Sequence, residues 1–187
     1  MNLFKCFKSK DNFDLNNDPN FNNYKGAGCI FTDNNLILAG YHPFKKTPYI
    51  SGIGGGKQKN ETYIITALRE LVEELFNSYN ISDILLNDLI SVKPIKIHYT
   101  NNYVNCIYNF NQLNEMLDIL DYHQFVSELY KRFPINYNDL IFNRIIKNGE
   151  ISHLCLLPVI NNNIIVDTDL NNDIKILFND IMKSLYN

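Results

Sequence analysis

Between residues 62 and 77 the apolar positions recur at helical spacing. Ile64, Leu68, Leu71 and Leu75 fall on one stripe, which predicts an amphipathic helix. Upstream, residues 26–32 and 36–41 are two strand-like runs separated by Asp33-Asn34-Asn35, a pattern that predicts a hairpin. Residues 42–49 carry two prolines and two lysines and read as loop, and 51–57 as a glycine-dense turn leading into the helix. Beyond the helix, 83–88 reads as a short connection. Residues 89–99 and 103–110 read as two strands joined at 100–102. A second helix is expected over 113–133, with Leu117, Leu120, Phe125 and Leu129 available for burial and Pro134 as its stop. A short helix over 137–147 would end at Asn148-Gly149. Residues 151–159 read as a strand, 161–168 as a turn with a short extended piece. The chain closes with an amphipathic helix over 169–186, capped by Thr168 or Asp169, with Ile174, Leu177, Phe178, Ile181 and Leu185 inward.

Strands and helices are mixed without strict βα alternation. The expected class is therefore α+β, a mixed sheet with helices on its faces, and a doubly wound nucleotide fold is disfavoured. Residues 1–23, rich in Asn, Asp and Lys, read as a tail, and 24–187 as a single domain.

Composition narrows the function classes. The formal charge of −3 gives no global basic field to recruit nucleic acid, although a local basic patch stays open. Cysteines 6, 29, 106 and 155 form no C-x-x-C pair or Cys/His cluster, which argues against zinc and a disulfide framework. The sequence shows no apolar run long enough for a membrane span and no signal core, and Asn2 stands where myristoylation needs a glycine. A reducing, intracellular and cytoplasmic setting is the default expectation. The many Asn runs mark turns.

Chemistry concentrates in residues 55–77. At about 100° per residue, Glu70, Glu73 and Glu74 share one helix face roughly opposite the apolar stripe. Like charges at this spacing cost stability, and a cation among them would offset the cost. Oxygen ligands without Cys or His select magnesium, manganese or calcium. An isolated E-x-x-E-E triplet is more often a solvated face. Here Arg69 flanks it, and the glycine cluster upstream can fold back over the first helical turn and offer backbone N–H groups to phosphate.

These residues resemble the Nudix signature, in which a glycine, a glutamate, an Arg-Glu pair and a Glu-Glu pair follow at fixed spacing. The chain has Gly55, Glu61 after five residues, Arg69-Glu70 after seven, then Leu71, Val72, Glu73-Glu74 and Leu75. Phe76 stands where the family has its last glycine, and Asn77 where it has an aliphatic residue. A phenylalanine at positive φ is strained, so the helix is expected to run on to Asn77 or Asn80.

The resemblance implies a Nudix fold of α/β/α layers, with a helical insertion around 113–147. It implies Glu73 and Glu74 as principal metal ligands and Glu70 as a ligand or the water-activating base. A carbonyl at Gly55 or Gly56 is expected near the metal, and Glu61 and Arg69 as a supporting salt bridge. The metal would be Mg2+ or Mn2+ and the reaction hydrolysis of a pyrophosphate bond.

A later carboxylate often joins in this family, and Glu150 is the candidate; Glu115, Asp118 and Asp121 are better explained as helix surface. Lys45, Lys46, Lys57 and Lys59 are available to grip phosphates or to be solvated. Tyr24, His42, Phe44 and Tyr49 are available to stack on a base or fill the core. No histidine is assigned a role.

The expected partner is a nucleotide-type pyrophosphate substrate. The triple glycine, the missing last glycine and the insertion are also similar, at low specificity, to mRNA cap-cleaving Nudix proteins of large DNA viruses, which would place the chain in a host cytoplasm with capped RNA as substrate. A diphosphoinositol polyphosphate is the alternative substrate, and a catalytically silent Nudix-fold binding module the alternative of another class. A homodimer is left open.

Overall fold

The computed structural model describes residues 23–43, 45–100, 102–145, 151–160, 166 and 168–186. The expected tail, Phe44, Lys147 and Glu150 thus lie outside the described residues, apart from Asn23.

The element order is β1 (Gly26–Phe31), β2 (Leu36–His42), β3 (Tyr49–Ser51), β4 (Ile53–Gly56), α1 (Tyr63–Phe76), α2 (Asp83–Ser91), β5 (Lys96–Thr100), β6 (Tyr103–Tyr108), α3 (Phe110–Tyr122), α4 (Tyr137–Phe142), β7 (His153–Pro158) and α5 (Thr168–Tyr186). A four-stranded mixed sheet runs β4-β1-β6-β5, with β1 parallel to β6 and antiparallel to β4. A three-stranded antiparallel sheet runs β3-β2-β7.

Strand alternation divides the apolar residues into two cores. Ala27, Cys29 and Phe31 of β1 and Val104, Cys106 and Tyr108 of β6 join Leu68, Leu71, Leu75, Leu85, Leu89, Leu113 and Leu117 from α1, α2 and α3. Ile30 and Ile107, one position off, join Ile37, Ala39 and Leu157 of the second sheet and Leu170, Ile174 and Leu177 of α5. The class is α+β, with mixed sheets flanked by helices, as expected. No helix among the described residues is long and apolar enough to cross a membrane. Cys29, Cys106 and Cys155 are unbridged thiols.

Several local expectations need correction. The 33–35 turn forms, with the Asp33 carboxylate accepting the N–H groups of Asn35 and Leu36 at 2.9 and 2.8 Å. The strands it joins meet only at a Thr32–Ile37 bridge and then part into different sheets. The glycine-dense stretch is an edge strand, β4, and not a turn: its residues pair in register with β1. The expected connection at 83–88 and the start of the expected strand at 89 are both in α2. The Ser82 hydroxyl caps this helix by accepting Leu85 N–H, and Leu85 and Leu89 bury one turn apart. The helix expected over 113–133 spans only 110–122. It opens with an Asn109–Gln112 capping box and closes in a Schellman turn, with Gln124 at φ 52° and Phe125 N–H bonded to Leu120 C=O. Residues 123–136 then run without regular helix, and α4 covers six residues of the expected 137–147.

Candidate active site on helix α1

Helix α1 lies on the mixed sheet with Ala67, Leu68, Leu71, Val72 and Leu75 buried. That packing leaves residues 69, 70 and 73 along its outer edge. Arg69 organises this edge. Its Nε donates to Glu61 Oε1 at 2.7 Å and its Nη2 to Gly56 C=O at 2.7 Å. Its Nη1 donates to both Glu70 Oε1 at 2.8 Å and Glu73 Oε2 at 2.9 Å. The side chains are only 11% exposed for Arg69 and Glu61 and 14% for Glu70 and Glu73. Two carboxylates therefore converge on one guanidinium nitrogen, while the rest of the guanidinium is tied to the loop before the helix. The expected Glu61–Arg69 salt bridge is present.

Glu61 is itself held firmly. Burial alone would raise its carboxyl, but Arg69, the Gln58 N–H and the Thr66 hydroxyl outweigh burial and hold it below its ordinary 4.5. The Tyr24 hydroxyl adds a bond to the Glu61 carbonyl at 2.6 Å, which ties the start of β1 to the loop.

Glu74 behaves differently from its neighbours. It is 7% exposed and accepts the Gly54 N–H at 2.7 Å. The amide expected to face a phosphate is thus used to fix a carboxylate. Gly54 has φ 156°, and a Cβ there would overlap Tyr103 and the β1 backbone. Gly55 faces α1, and a Cβ on it would lie 2.5 Å from the Glu70 carboxyl carbon. Among the described residues, no three acidic, Cys or His side chains are gathered into a ready metal cage.

This gives a paired prediction. Gly55→Ala pushes the Glu70 carboxylate off Arg69, and should cost about 1–3 kcal/mol of stability. Gly56→Ala meets nothing within 4 Å of the new carbon and should behave as wild type. Thermal melts of the two variants check this.

No family model and no curated protein matches the chain. Solved structures do. One is a bifunctional NMN adenylyltransferase/ADP-ribose pyrophosphatase from Francisella tularensis, complexed with AMP and a manganese ion. It is 16% identical with a TM-score of 0.46, and the match covers 84% of this chain and 42% of that one. A second structure of a protein of that description from the same organism scores 0.45 at 16% identity, over 84% and 41%. A NUDIX-family hydrolase from Clostridium perfringens scores 0.39 at 14% identity, over 84% of this chain and 97% of that one. The chain spans about two fifths of the length of the bifunctional proteins.

The remaining sequence candidates are dispersed. Lys57 is exposed and its Nζ lies 4.0 Å from the centroid of the Tyr24 ring. Lys45, Lys46 and Lys59 are also exposed. His42 stacks on Tyr49, with centroids 4.6 Å apart, and its Nε2 meets the Ser51 hydroxyl at 2.7 Å. Glu115 and Asp118 lie on the α2–α3 side with Asp88 and Tyr122.

Sequence reasoning missed what holds the far end of α1. Phe76, where the signature has glycine, is 1% exposed and stacks on Phe133 at 5.5 Å, with Phe125 and Tyr130 around it. Asn77 takes the left-handed conformation one residue later, at φ 54°, and bonds back to Glu73 C=O, as the departure at position 76 predicted. Ser127 Oγ donates to Phe76 C=O at 2.6 Å, and Arg144 to the carbonyls of Glu74 and Leu75. The one available signal was Phe76 itself: a helix without its closing glycine needs other groups for its last carbonyls.

Proposed function

We propose that the chain is a Nudix-type pyrophosphohydrolase that hydrolyses a pyrophosphate bond in a nucleoside diphosphate-linked substrate with Mg2+ or Mn2+. The observation that carries this reading is the convergence of Glu70 and Glu73 on a single cationic nitrogen, at signature spacing from Gly55, Glu61 and Arg69. Three carboxylates, Glu61, Glu70 and Glu73, gather around the single positive charge of Arg69, and the excess negative charge would favour a hard divalent ion beside Glu70 and Glu73. The donor set, all oxygen with no Cys or His, fits magnesium or manganese.

Glu70 and Glu73 would hold the ion, and Glu74, fixed by Gly54, would complete the set from the β4 side. A bound ion supplies charge neutralisation at the phosphate oxygens and a lowered pKa for water. The chain's own residues do the rest. Arg69 holds the Glu70 and Glu73 carboxylates in fixed rotamers, and Glu61 keeps Arg69 in place. As the alternative to a ligand role, Glu70, the acid pressed against Gly55, would take the proton of an attacking water. Glu150 remains the proposed later carboxylate.

The test is a substrate panel with and without Mg2+ or Mn2+: ADP-ribose, nucleotide sugars, dinucleoside polyphosphates, capped RNA and diphosphoinositols. Divalent-dependent release of a phosphate-containing product from at least one member supports the reading. Absence of turnover on all of them, with either metal, would falsify it.

A further inference from the structure

Helix α1 carries the acids on its middle turns, yet its position depends on how its last turn is held. The last four carbonyls of a helix have no partner within it. Here Glu73 C=O keeps an ordinary i→i+4 bond, and the carbonyls of Glu74, Leu75 and Phe76 are met by side chains from outside the helix. Glu73 C=O takes the Asn77 N–H at 2.8 Å. Phe76 C=O takes the Ser127 hydroxyl. Arg144 donates from Nη2 to Glu74 C=O at 2.9 Å and to Ile151 C=O at 3.0 Å, and from Nη1 to Leu75 C=O and the Tyr130 hydroxyl. Tyr130 in turn donates to Leu75 C=O at 3.2 Å.

Arg144 is thus one planar fork gripping two consecutive carbonyls of α1 and the residue that leads into β7. Its positive charge stands at the negative end of the helix dipole. The grip reaches an acid directly. Glu74 is held at its main-chain carbonyl by Arg144 and at its carboxylate by Gly54 N–H. Glu70 and Glu73 lie within one turn of it on the same rigid helix.

We infer that Arg144, reaching in from the segment after α4, is a positioning residue for the proposed metal-binding acids. It fixes the rotation and depth of α1 relative to β4. This rests on the pyrophosphohydrolase reading above and adds to it a second clamp, opposite the one made by Arg69. Lysine at this position would keep the charge and reach one carbonyl but lose the fork. Ser127, whose hydroxyl donates to Phe76 C=O and accepts the Leu129 N–H, serves as a comparison: it caps the same end without touching an acid-bearing residue.

The experiment is Mn2+ binding to the full chain, followed by the free-ion EPR signal, for wild type, Arg144→Ala, Arg144→Lys and Ser127→Ala, with thermal melts alongside. Arg144→Ala should weaken Mn2+ binding by about tenfold or more, and Arg144→Lys should recover part of that. Ser127→Ala should lower the melting temperature and leave Mn2+ affinity at the wild-type value. If Arg144→Ala does not fold, Arg144→Lys carries the measurement: wild-type affinity in it overturns the inference. Equal affinity in folded Arg144→Ala and wild type also overturns it and leaves the enzymatic reading standing. A wild-type protein that binds no Mn2+ overturns both.

Discussion

Glu73→Gln should lower turnover by on the order of a thousandfold, the loss typical of removing one preorganised electrostatic group from a catalytic site. Glutamine has the shape of glutamate and keeps an oxygen for the Arg69 Nη1 hydrogen bond. It removes only the charge. Glu73 is an i,i+4 partner of Arg69 with a mostly covered side chain, so losing that charge should cost stability by about 1 kcal/mol. The two readouts therefore separate. A melt within a few degrees of wild type, with turnover collapsed at saturating Mg2+, places Glu73 in the machinery. Unchanged turnover on a substrate that wild type cleaves sinks the assignment of Glu70 and Glu73 as metal-holding acids. A proportionate loss of both would instead mean that Glu73 only braces Arg69.

The parts of this site that were legible in the sequence are those governed by local spacing. Helical periodicity brings 70 and 73 to one edge whatever the tertiary context, and a turn's separation brings Arg69 and Glu73 within reach of each other. Glu74 was less legible. It shares the acidic face by angle, but it lies nearer the sheet, and only the approach of β4 decides that its carboxylate meets Gly54. The glycine run illustrates the same limit. Three consecutive glycines read as a turn by propensity, yet two of them are there because β4 must lie close to other groups: Gly54 beside Tyr103 and Gly55 beside Glu70. Close approach is a property of packing and leaves no periodic trace. The stretch 83–91 was misread for a related reason. Its polar residues Asp83, Asn87 and Asp88 read as a connection, and the Ser82 cap with Leu85 and Leu89 buried one turn apart makes it a helix. Arg144 had no local signal at all. Its partners on α1 lie 69 and 70 residues earlier, at the end of a helix whose missing glycine was visible but whose replacement was not.

Arg69→Met should be the most destabilising single change at the site. It removes the ion pairs to Glu61, Glu70 and Glu73 and the bond to Gly56 C=O together, and leaves three mostly covered carboxylates facing one another. Stranding charge in this way costs about 3–5 kcal/mol at neutral pH. The pH dependence follows from Glu61. Its folded carboxyl sits below the ordinary 4.5, so its contribution is complete above that value and fades as pH falls through the lower folded one. In the variant burial is no longer opposed by Arg69, and protonation relieves the repulsion instead. The gap in stability between wild type and Arg69→Met should therefore be widest near pH 7 and narrow towards pH 4, as read from urea unfolding midpoints at the two values. Divalent cation gives the decisive arm. If the space between Glu70 and Glu73 suits a hard ion, Mg2+ takes over part of the lost guanidinium's charge and raises the melting temperature of Arg69→Met more than that of wild type, through binding to the folded state alone. No magnesium shift in either protein would mean that the converging carboxylates serve Arg69 and no metal.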